Sequence, residues 1–297
     1  MKKLPFKGSG VALVTPFTNE NKIDFDALID LINMHINHKT DAIVVCGTTG
    51  EASTLSDIEQ EELIAFSKKA VNNKVPLIAG AGSNNTKNAV KKAKTAQKAG
   101  ADAILSVTPF YNKANFDGII EHYKAIAKAV DIPIILYNVP QRTGMSLPIE
   151  VLLKLSEIDN IVAIKEASGN LSYVSQIAAY VPNIYIYSGN DDIALSVMAM
   201  GGMGVISVAA NIVPEDIHNM CESVFLNDIK KAGTIQKDLI KVIDKLFIEV
   251  NPIPVKNAMN KLGYKVGETR LPLGKMSEEN LAKLMDTLYE YGVKKII

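Results

Sequence analysis

A lysine at the end of an apolar run is the feature of this sequence that most directly suggests chemistry. Residues Ile161–Ile164 are all apolar, as in a parallel strand covered on both faces, and Lys165 follows them. An ordinary lysine, with a pKa of about 10.4, is a poor nucleophile at neutral pH, but burial among apolar groups favours the neutral amine. Such an amine can form a Schiff base with a carbonyl substrate. Alternatively, Lys165 pairs with Glu166 or another acid, and the strand alone does not decide between the two.

Two hydroxyl residues follow an earlier apolar run. Thr48 and Thr49 lie in the sequence GTTGE, Gly47–Glu51, where flanking glycines leave the backbone amides accessible. Amides and hydroxyls in such a turn can bind a carboxylate and relay a proton. Taken alone, however, the motif is better explained as an ordinary tight turn.

Two tyrosines and an arginine follow the fourth and fifth apolar runs. Tyr111 lies in TPFYN, Tyr137 ends the run PIILY, and Arg142 comes in the next loop. Tyr137 alternates with Ile135 on a strand next to that of Lys165, so the tyrosine and the lysine can face the same interior. The guanidinium of Arg142 can bind a substrate carboxylate through two parallel hydrogen bonds, although a lone loop arginine is usually solvated or paired with an acid. However, a tyrosine at the rim of a site often has no catalytic role and only covers the site with its amphipathic side chain.

Short apolar runs recur along the chain, each followed by a helical pattern. Units of this kind predict an α/β fold, a (β/α)8 TIM barrel, because parallel strands need helical crossovers and eight of them can close the sheet. A doubly wound open sheet is the second possibility, but it normally has a glycine-rich phosphate turn after its first strand, which VALVTPF lacks. The runs begin near Val11, Ala42, Pro76, Ala103, Pro133, Ile161, Ile184 and Gly204.

The remainder of the chain has no strand pattern. Residues 1–226 are predicted to form the catalytic barrel and residues 227–297 a C-terminal helical region of three helices. We expect this region to pack on the barrel or on a neighbouring subunit rather than to bind a ligand.

Helix boundaries within the barrel have their own signals. Ser56 and Glu59 form a capping box, Thr86 is a candidate N-cap, and Gly100 marks a helix end. An apolar face is predicted for the first helix from Phe25, Leu28, Ile29, Ile32 and Ile36.

Composition argues against several classes of partner. Lys plus Arg equals Asp plus Glu at 32 each, so no net charge attracts nucleic acid or an anionic membrane. With 47% hydrophobic residues, the chain is predicted to be globular and to bind a small molecule.

Its start, MKKLPFKGSG, lacks the apolar core of a signal peptide, and no segment is long enough to span a bilayer, so we expect a cytoplasmic protein. Cys46 and Cys221 are predicted to be buried reduced thiols, because their spacing fits no disulfide framework or zinc site.

Two further motifs are weak signals of a ligand. Asn190–Asp192 could suggest a metal, but capping of the following helix and the helix dipole explain these residues, and no matching ligands support a metal site. Gly201–Gly204 could suggest a phosphate cradle, yet it precedes a strand instead of opening a helix.

Together, these motifs resemble a known family. GTTGE, TPFYN, YNVPQRTG, the Lys165 strand, SGND and GVISVAAN occur in the order and spacing of the pyruvate-dependent class I aldolase and lyase superfamily of dihydrodipicolinate synthase and N-acetylneuraminate lyase. The resemblance runs from about Gly8 to beyond Arg270. N-acetylneuraminate lyases usually have a serine in place of Thr48 and lack an arginine matching Arg142, so the chain is more similar to the dihydrodipicolinate synthase branch.

The resemblance implies a Schiff-base lyase that condenses pyruvate with L-aspartate 4-semialdehyde. Lys165 would form the imine with pyruvate. Tyr137, Thr48 and Tyr111 would form the proton relay, with Tyr111 reaching in from a partner subunit. The family works without a metal or organic cofactor, and it implies a homotetramer built as a dimer of dimers, with a dimer as the alternative.

The resemblance also implies which residues bind the substrates. The amides of Thr48 and Thr49 would hold the pyruvate carboxylate, and Arg142 would hold that of the semialdehyde. Gly189 and Ile206 would line the pocket. Two other functions compete with this one: a sibling lyase that joins pyruvate to another aldehyde, such as a sugar acid, and a keto-acid sensor without turnover.

Many members of the family are inhibited by L-lysine at a cleft between subunits. Several matching positions depart from the pattern of inhibited bacterial enzymes: Gln60 stands in place of a histidine, Asn88 of a glutamate and Phe110 of a tyrosine. The other two positions that match this cleft are Asp57 and Asn84. Because Asn88 offers no charge to the ammonium of lysine, we expect weak or absent inhibition, with Asp57 as a partial substitute.

Overall fold

The computed structural model describes residues 2–295, and these form the predicted (β/α)8 barrel. Each strand is short and buried on both faces, as parallel strands under helices must be. The strands pair in sequence order, and β8 pairs with β1 to close the sheet. They are β1 (Gly8–Ala12), β2 (Ala42–Val45), β3 (Leu77–Gly80), β4 (Ala103–Val107), β5 (Ile134–Asn138), β6 (Ile161–Glu166), β7 (Tyr185–Ser188) and β8 (Gly204–Ser207).

Helices cover the outside of the barrel and continue beyond it. Their bounds are α1 (Phe25–Asn37), α2 (Asp57–Val71), α3 (Thr86–Lys98), α4 (Phe116–Ala129), α5 (Pro140–Thr143), α6 (Ile149–Leu155), α7 (Leu171–Tyr180), α8 (Ala194–Ala199), α9 (Pro214–Phe225), α10 (Ile229–Leu246), α11 (Ile253–Leu262) and α12 (Glu278–Tyr291). A 3₁₀ turn, Ala209–Asn211, lies between β8 and α9.

Alternation along the strands divides the apolar residues into two cores. Side chains such as Val44, Ile135 and Ile206 fill the barrel interior, whereas their neighbours in sequence pack against the helices. The interior is therefore a packed core that leaves room for ligands only at the ends of the strands.

Most predicted helix ends are confirmed, and two details are wrong. Ser56 and Glu59 form the capping box of α2, and Gly100 follows α3 with φ 96°. The cap of α3 is Asn85, whose side chain accepts from the Asn88 amide, and Thr86 is the first helical residue. Ile29, assigned to the apolar face of α1, is 38% exposed, because Leu31 rather than Ile29 points into the core.

The C-terminal region contains α10, α11 and α12, close to the three helices predicted there. The first of them ends at Leu246, and Ser277 caps the last by accepting from the Asn280 amide. Both α10 and α12 bury apolar residues in the main core. Within residues 2–295, no helix is both long and apolar enough to cross a membrane.

The capping box of α2 gives a stability prediction. Ser56→Ala removes the acceptor of the Glu59 amide, so we expect the free energy of unfolding to fall by about 1 kcal/mol. Urea denaturation measures this change. Ser175→Ala, an exposed serine inside α7, is the matched control and should leave the unfolding midpoint almost unchanged. Equal midpoints for Ser56→Ala and the parent would contradict the assignment of the cap.

Candidate active site

A cavity of about 350 Å³ opens at the carboxyl ends of β2 to β5. Thr48, Tyr137 and Arg142 line it, as the sequence predicts for residues that follow these strands. Its remaining wall includes residues of the C-terminal region, which was expected not to bind a ligand. These are Asn251, Pro252, Pro272 and Leu273.

Lys165 and Tyr137 are neighbours in the barrel interior. They are register partners on β6 and β5, and the Lys165 Nζ atom lies 4.5 Å from the centroid of the Tyr137 ring. Lys165 is 5% exposed and Tyr137 8% exposed. Tyr137 lines the cavity, whereas Lys165 is not part of the cavity wall and lies beside the tyrosine ring. The predicted pairing of these two side chains on one face is confirmed.

The alternative role for Lys165, an ion pair with an acid, does not occur. Within residues 2–295, no carboxylate oxygen lies within 4.0 Å of its amine. Glu166 faces the other way: Asn138 Nδ2 donates to its Oε2 at 2.7 Å, and the Ser168 amide donates to its Oε1 at 2.6 Å. Burial raises the pKa of Glu166, and these hydrogen bonds oppose that rise.

The turn after β2 presents two free backbone donors. Neither the Thr48 amide nor the Thr49 amide donates to an acceptor in the part of the chain from 2 to 295. Thr48 lines the cavity, while Thr49 is buried and its hydroxyl oxygen accepts from Asn251 Nδ2 at 3.0 Å. Unpaired amides beside a cavity are a suitable site for a carboxylate.

Arg142 lies in the short helix α5 at the rim of the cavity. Its Nη2 donates to the backbone oxygen of Asn251 at 3.0 Å, which leaves the remaining guanidinium donors available. The same Asn251 therefore contacts both Arg142 and Thr49. Sequence reasoning did not identify Asn251, because a residue so distant along the chain from the strand ends gives no local signal.

Tyr111 points away from the cavity of its own chain. It lies in the loop after β4 with φ 71°, and its side chain is 89% exposed. Its amide donates to the Thr143 oxygen at 3.3 Å, which ties this loop to α5. An exposed tyrosine of this kind cannot act in its own site without a change of conformation.

Neither Gly189 nor Ile206 is part of the cavity wall. Ile206 is a fully buried residue of the barrel interior. A Cβ atom added at Gly189 would lie 3.0 Å from Lys165 Cε and 2.5 Å from Ala167 Cβ. Glycine at this position therefore provides the space that the lysine side chain occupies.

The prediction that Asn190–Asp192 cap the following helix is wrong. No side-chain hydrogen bond caps α8. Instead, Asp191 is buried, and its Oδ2 accepts from the amides of Val208 and Ala209, each at 3.0 Å, because the 3₁₀ turn after β8 starts beside it. Burial raises the pKa of Asp191. Within residues 2–295, no group of three or more His, Cys, Asp or Glu side chains could hold a metal ion.

Both cysteines are buried and unpaired, as predicted. Cys46 lines the cavity, but burial raises the pKa of its thiol to about 12. A thiol that remains protonated is a poor nucleophile. Lys165 is therefore a better candidate for covalent chemistry than Cys46.

Comparison with known proteins identifies the family of this chain. The model of the dihydrodipicolinate synthetase family matches residues 5–291. The chain belongs to this family. A 4-hydroxy-tetrahydrodipicolinate synthase from Caldicellulosiruptor saccharolyticus is 53% identical, over 97% of this chain and 98% of the relative. Another from Clostridium novyi is 50% identical, over 97% of each chain.

Solved structures of the family have the same barrel. Dihydrodipicolinate synthase from Aquifex aeolicus superposes with a TM-score of 0.96 at 42% identity, covering 98% of this chain and 100% of that one. The enzyme from Acinetobacter baumannii, complexed with pyruvate, superposes with a TM-score of 0.94 at 41% identity, over 97% and 99% of the two chains. In (β/α)8 enzymes the active site lies at the carboxyl ends of the strands, which is where the cavity of this chain opens.

Gly189→Ala tests the space around Lys165. The new methyl group would displace the lysine side chain, so we expect covalent trapping of pyruvate by borohydride to slow by about tenfold or more. Gly233→Ala, on the open side of α10, is the matched control and should trap pyruvate like the parent. Circular dichroism checks that both variants fold. Parental trapping by folded Gly189→Ala would contradict this role for the glycine.

Proposed function

We propose that this chain condenses pyruvate with L-aspartate 4-semialdehyde through an imine on Lys165. The product is 4-hydroxy-tetrahydrodipicolinate, and the reaction is the first committed step of the diaminopimelate and lysine pathway. The observation that carries the proposal is a buried amine without an acid partner beside Tyr137, at the end of a barrel whose family catalyses this reaction.

The chemistry follows from the imine. The Lys165 amine adds to the ketone of pyruvate and water leaves, which forms a C=N bond to the lysine nitrogen. Loss of a methyl proton gives an enamine whose carbon attacks the aldehyde of the semialdehyde and forms the new C–C bond. The amine of the semialdehyde then attacks the imine carbon, closes the ring and releases Lys165.

Protons must move at several of these steps. We assign the relay to Tyr137, Thr48 and Tyr111, the last from a partner subunit. Tyr137 and Thr48 both line the cavity, which supports their part of the assignment. The iminium nitrogen on Lys165 is itself the electron sink, so the proposed reaction needs no metal and no organic cofactor.

Two groups are proposed to hold the substrate carboxylates. The unpaired amides of Thr48 and Thr49 bind that of pyruvate, and Arg142 binds that of the semialdehyde. The guanidinium lies at the rim with donors free, which is where the second substrate would enter. Gly189 and Ile206 shape the deeper part of the pocket around the imine.

A sibling lyase acting on a sugar acid is the second candidate. Arg142 favours the semialdehyde, because the carboxylate of such a sugar acid belongs to its pyruvate part and the rest of the sugar, which is neutral, would leave Arg142 without a carboxylate. Assays with aspartate semialdehyde and with N-acetylneuraminate separate the two functions. Turnover of N-acetylneuraminate alone would overturn the proposed substrate.

Borohydride reduction tests the imine. In the presence of pyruvate, we expect the chain to gain one reduced pyruvate group and peptide mapping to place it on Lys165, since this amine has no acid partner. Lys256, the other deeply buried lysine, is an internal control, because its amine donates to Glu51 and to two backbone oxygens and does not line the cavity. An adduct on Lys256, or none, would contradict the proposal.

We further propose a cytoplasmic homotetramer, a dimer of dimers, in which Tyr111 completes the site of a neighbour. The 89% exposure of Tyr111 supports this placement. Tyr111→Phe and Lys165→Ala should each be weakly active alone. Mixed subunits should recover part of the activity, because a Tyr111 from one parent then serves a Lys165 from the other. No recovery after verified subunit exchange would count against a shared site.

Inhibition by L-lysine is proposed to be weak or absent. Asp57, the partial substitute for the missing glutamate, already pairs with Lys91 at 2.7 Å. Both Gln60 Nε2 hydrogens are used, in bonds to the Ala52 and Leu55 oxygens. Lys92 lines the cavity together with Arg142, so the cavity wall has two positively charged side chains.

Asn88→Glu combined with Gln60→His tests this explanation. An uncompensated ammonium costs several kcal/mol, on the order of a hundredfold or more in affinity, so the variant should be inhibited at far lower lysine concentrations than the parent. Initial rates against L-lysine measure the difference, with D-lysine as the control ligand. Submillimolar inhibition of the parent would refute the proposal.

A further inference from the structure

The turn that carries Thr48 and Thr49 has an unfavourable backbone at both ends. Cys46 precedes it with φ 54°, and Glu51 closes it, also with φ 54°. Both are non-glycine residues in the left-handed region, which persists only where the surrounding structure holds it. Contacts from outside the turn must therefore fix its conformation.

A buried ion pair holds Glu51. Lys256 Nζ, in α11, donates to Glu51 Oε1 at 2.8 Å, and the two side chains are 1% and 0% exposed. The backbone amide of Arg270 donates to Oε2 at 2.8 Å. Both oxygens of the carboxylate are thus bound by donors from the C-terminal region.

The amine of Lys256 is fully used in this arrangement. Besides Glu51, it donates to the Thr15 oxygen at 3.0 Å and to the Glu268 oxygen at 2.9 Å. Burial lowers the pKa of Lys256, and the charge of Glu51 opposes this. An ammonium group has three hydrogens to donate, so Lys256 has none left for a substrate. The pair acts on the turn and not on a ligand.

Stability alone is a poor explanation for such a pair. Apolar residues of similar volume often stabilise a buried site at least as well as two charges do. Charged groups form directional hydrogen bonds, and these orient the Glu51 carboxylate toward two fixed donors. The neighbouring Thr49 is tied to the same region through Asn251. The C-terminal region therefore fixes the turn at two points.

We propose that Glu51 and Lys256 are positioning residues for the reaction: their ion pair sets the turn so that the amides of Thr48 and Thr49 face the pyruvate carboxylate. The inference rests on the proposed function and deepens it. Of the two substrates, only pyruvate is proposed to contact these amides, so losing the pair weakens pyruvate binding and spares binding of the semialdehyde. Because the same turn carries the Thr48 hydroxyl of the proposed relay, kcat falls as well.

The double variant Glu51→Gln with Lys256→Met removes both charges and leaves no unpaired buried ion. We expect the KM for pyruvate to rise about ten- to hundredfold, because groups that bind pyruvate are misplaced, while the KM for the semialdehyde stays within about threefold of the parent. Borohydride with saturating pyruvate should still label Lys165. Glu279→Gln with Lys283→Met, which removes an exposed pair in α12, is the matched control and should behave like the parent.

A folded double variant with the parental KM for pyruvate overturns the proposal. If the double variant does not fold, Glu51→Asp decides, because it keeps the charge and draws the turn toward Lys256 by the length of one methylene. A raised KM for pyruvate at an unchanged KM for the semialdehyde then supports positioning, and parental values of both overturn it. If the parent itself forms no pyruvate adduct, the proposed function fails and this inference fails with it.

Discussion

The site depends on the register between β5 and β6. Ile134 pairs with Ile161 but Ile135 pairs with Ala163, so β6 contains one extra residue at this point. If the register had continued regularly from the Ile134–Ile161 pair, Tyr137 would lie opposite Ile164, and Lys165 would be displaced along the barrel. On the outer face, the hydrogen bond from Asn138 to Glu166 holds the same register one position further on. A local irregularity in the sheet thus brings the amine to the tyrosine.

The barrel alone does not complete the site. Its strands place Lys165, Tyr137 and Thr48, but the conformation of the Thr48 turn and the position of Arg142 depend on contacts with α11 and the residues before it. The C-terminal region is therefore a wall of the active site as well as a cover for the barrel.

The sequence predicts the parts of this structure that local pattern controls. The eight strands follow from apolar runs, and the α2 cap follows from Ser56 and Glu59, since both signals lie within a few residues. The sequence does not reveal the roles of Asp191 and Asn251, because their partners are distant along the chain. Pairing of β7 with β8 brings Val208 and Ala209 to Asp191, and packing of the C-terminal region at the strand ends brings Asn251 to Thr49 and Arg142. The extra residue in β6 was also beyond prediction, since alternation along one strand does not report how its neighbour pairs.

A crystal structure of the enzyme with pyruvate would show whether the imine forms on Lys165. We expect continuous electron density from Lys165 Nζ to the ketone carbon, with the carboxylate at hydrogen-bonding distance from the amides of Thr48 and Thr49. Pyruvate bound without a covalent link, or with its carboxylate on Arg142 and the two amides empty, would contradict this expectation.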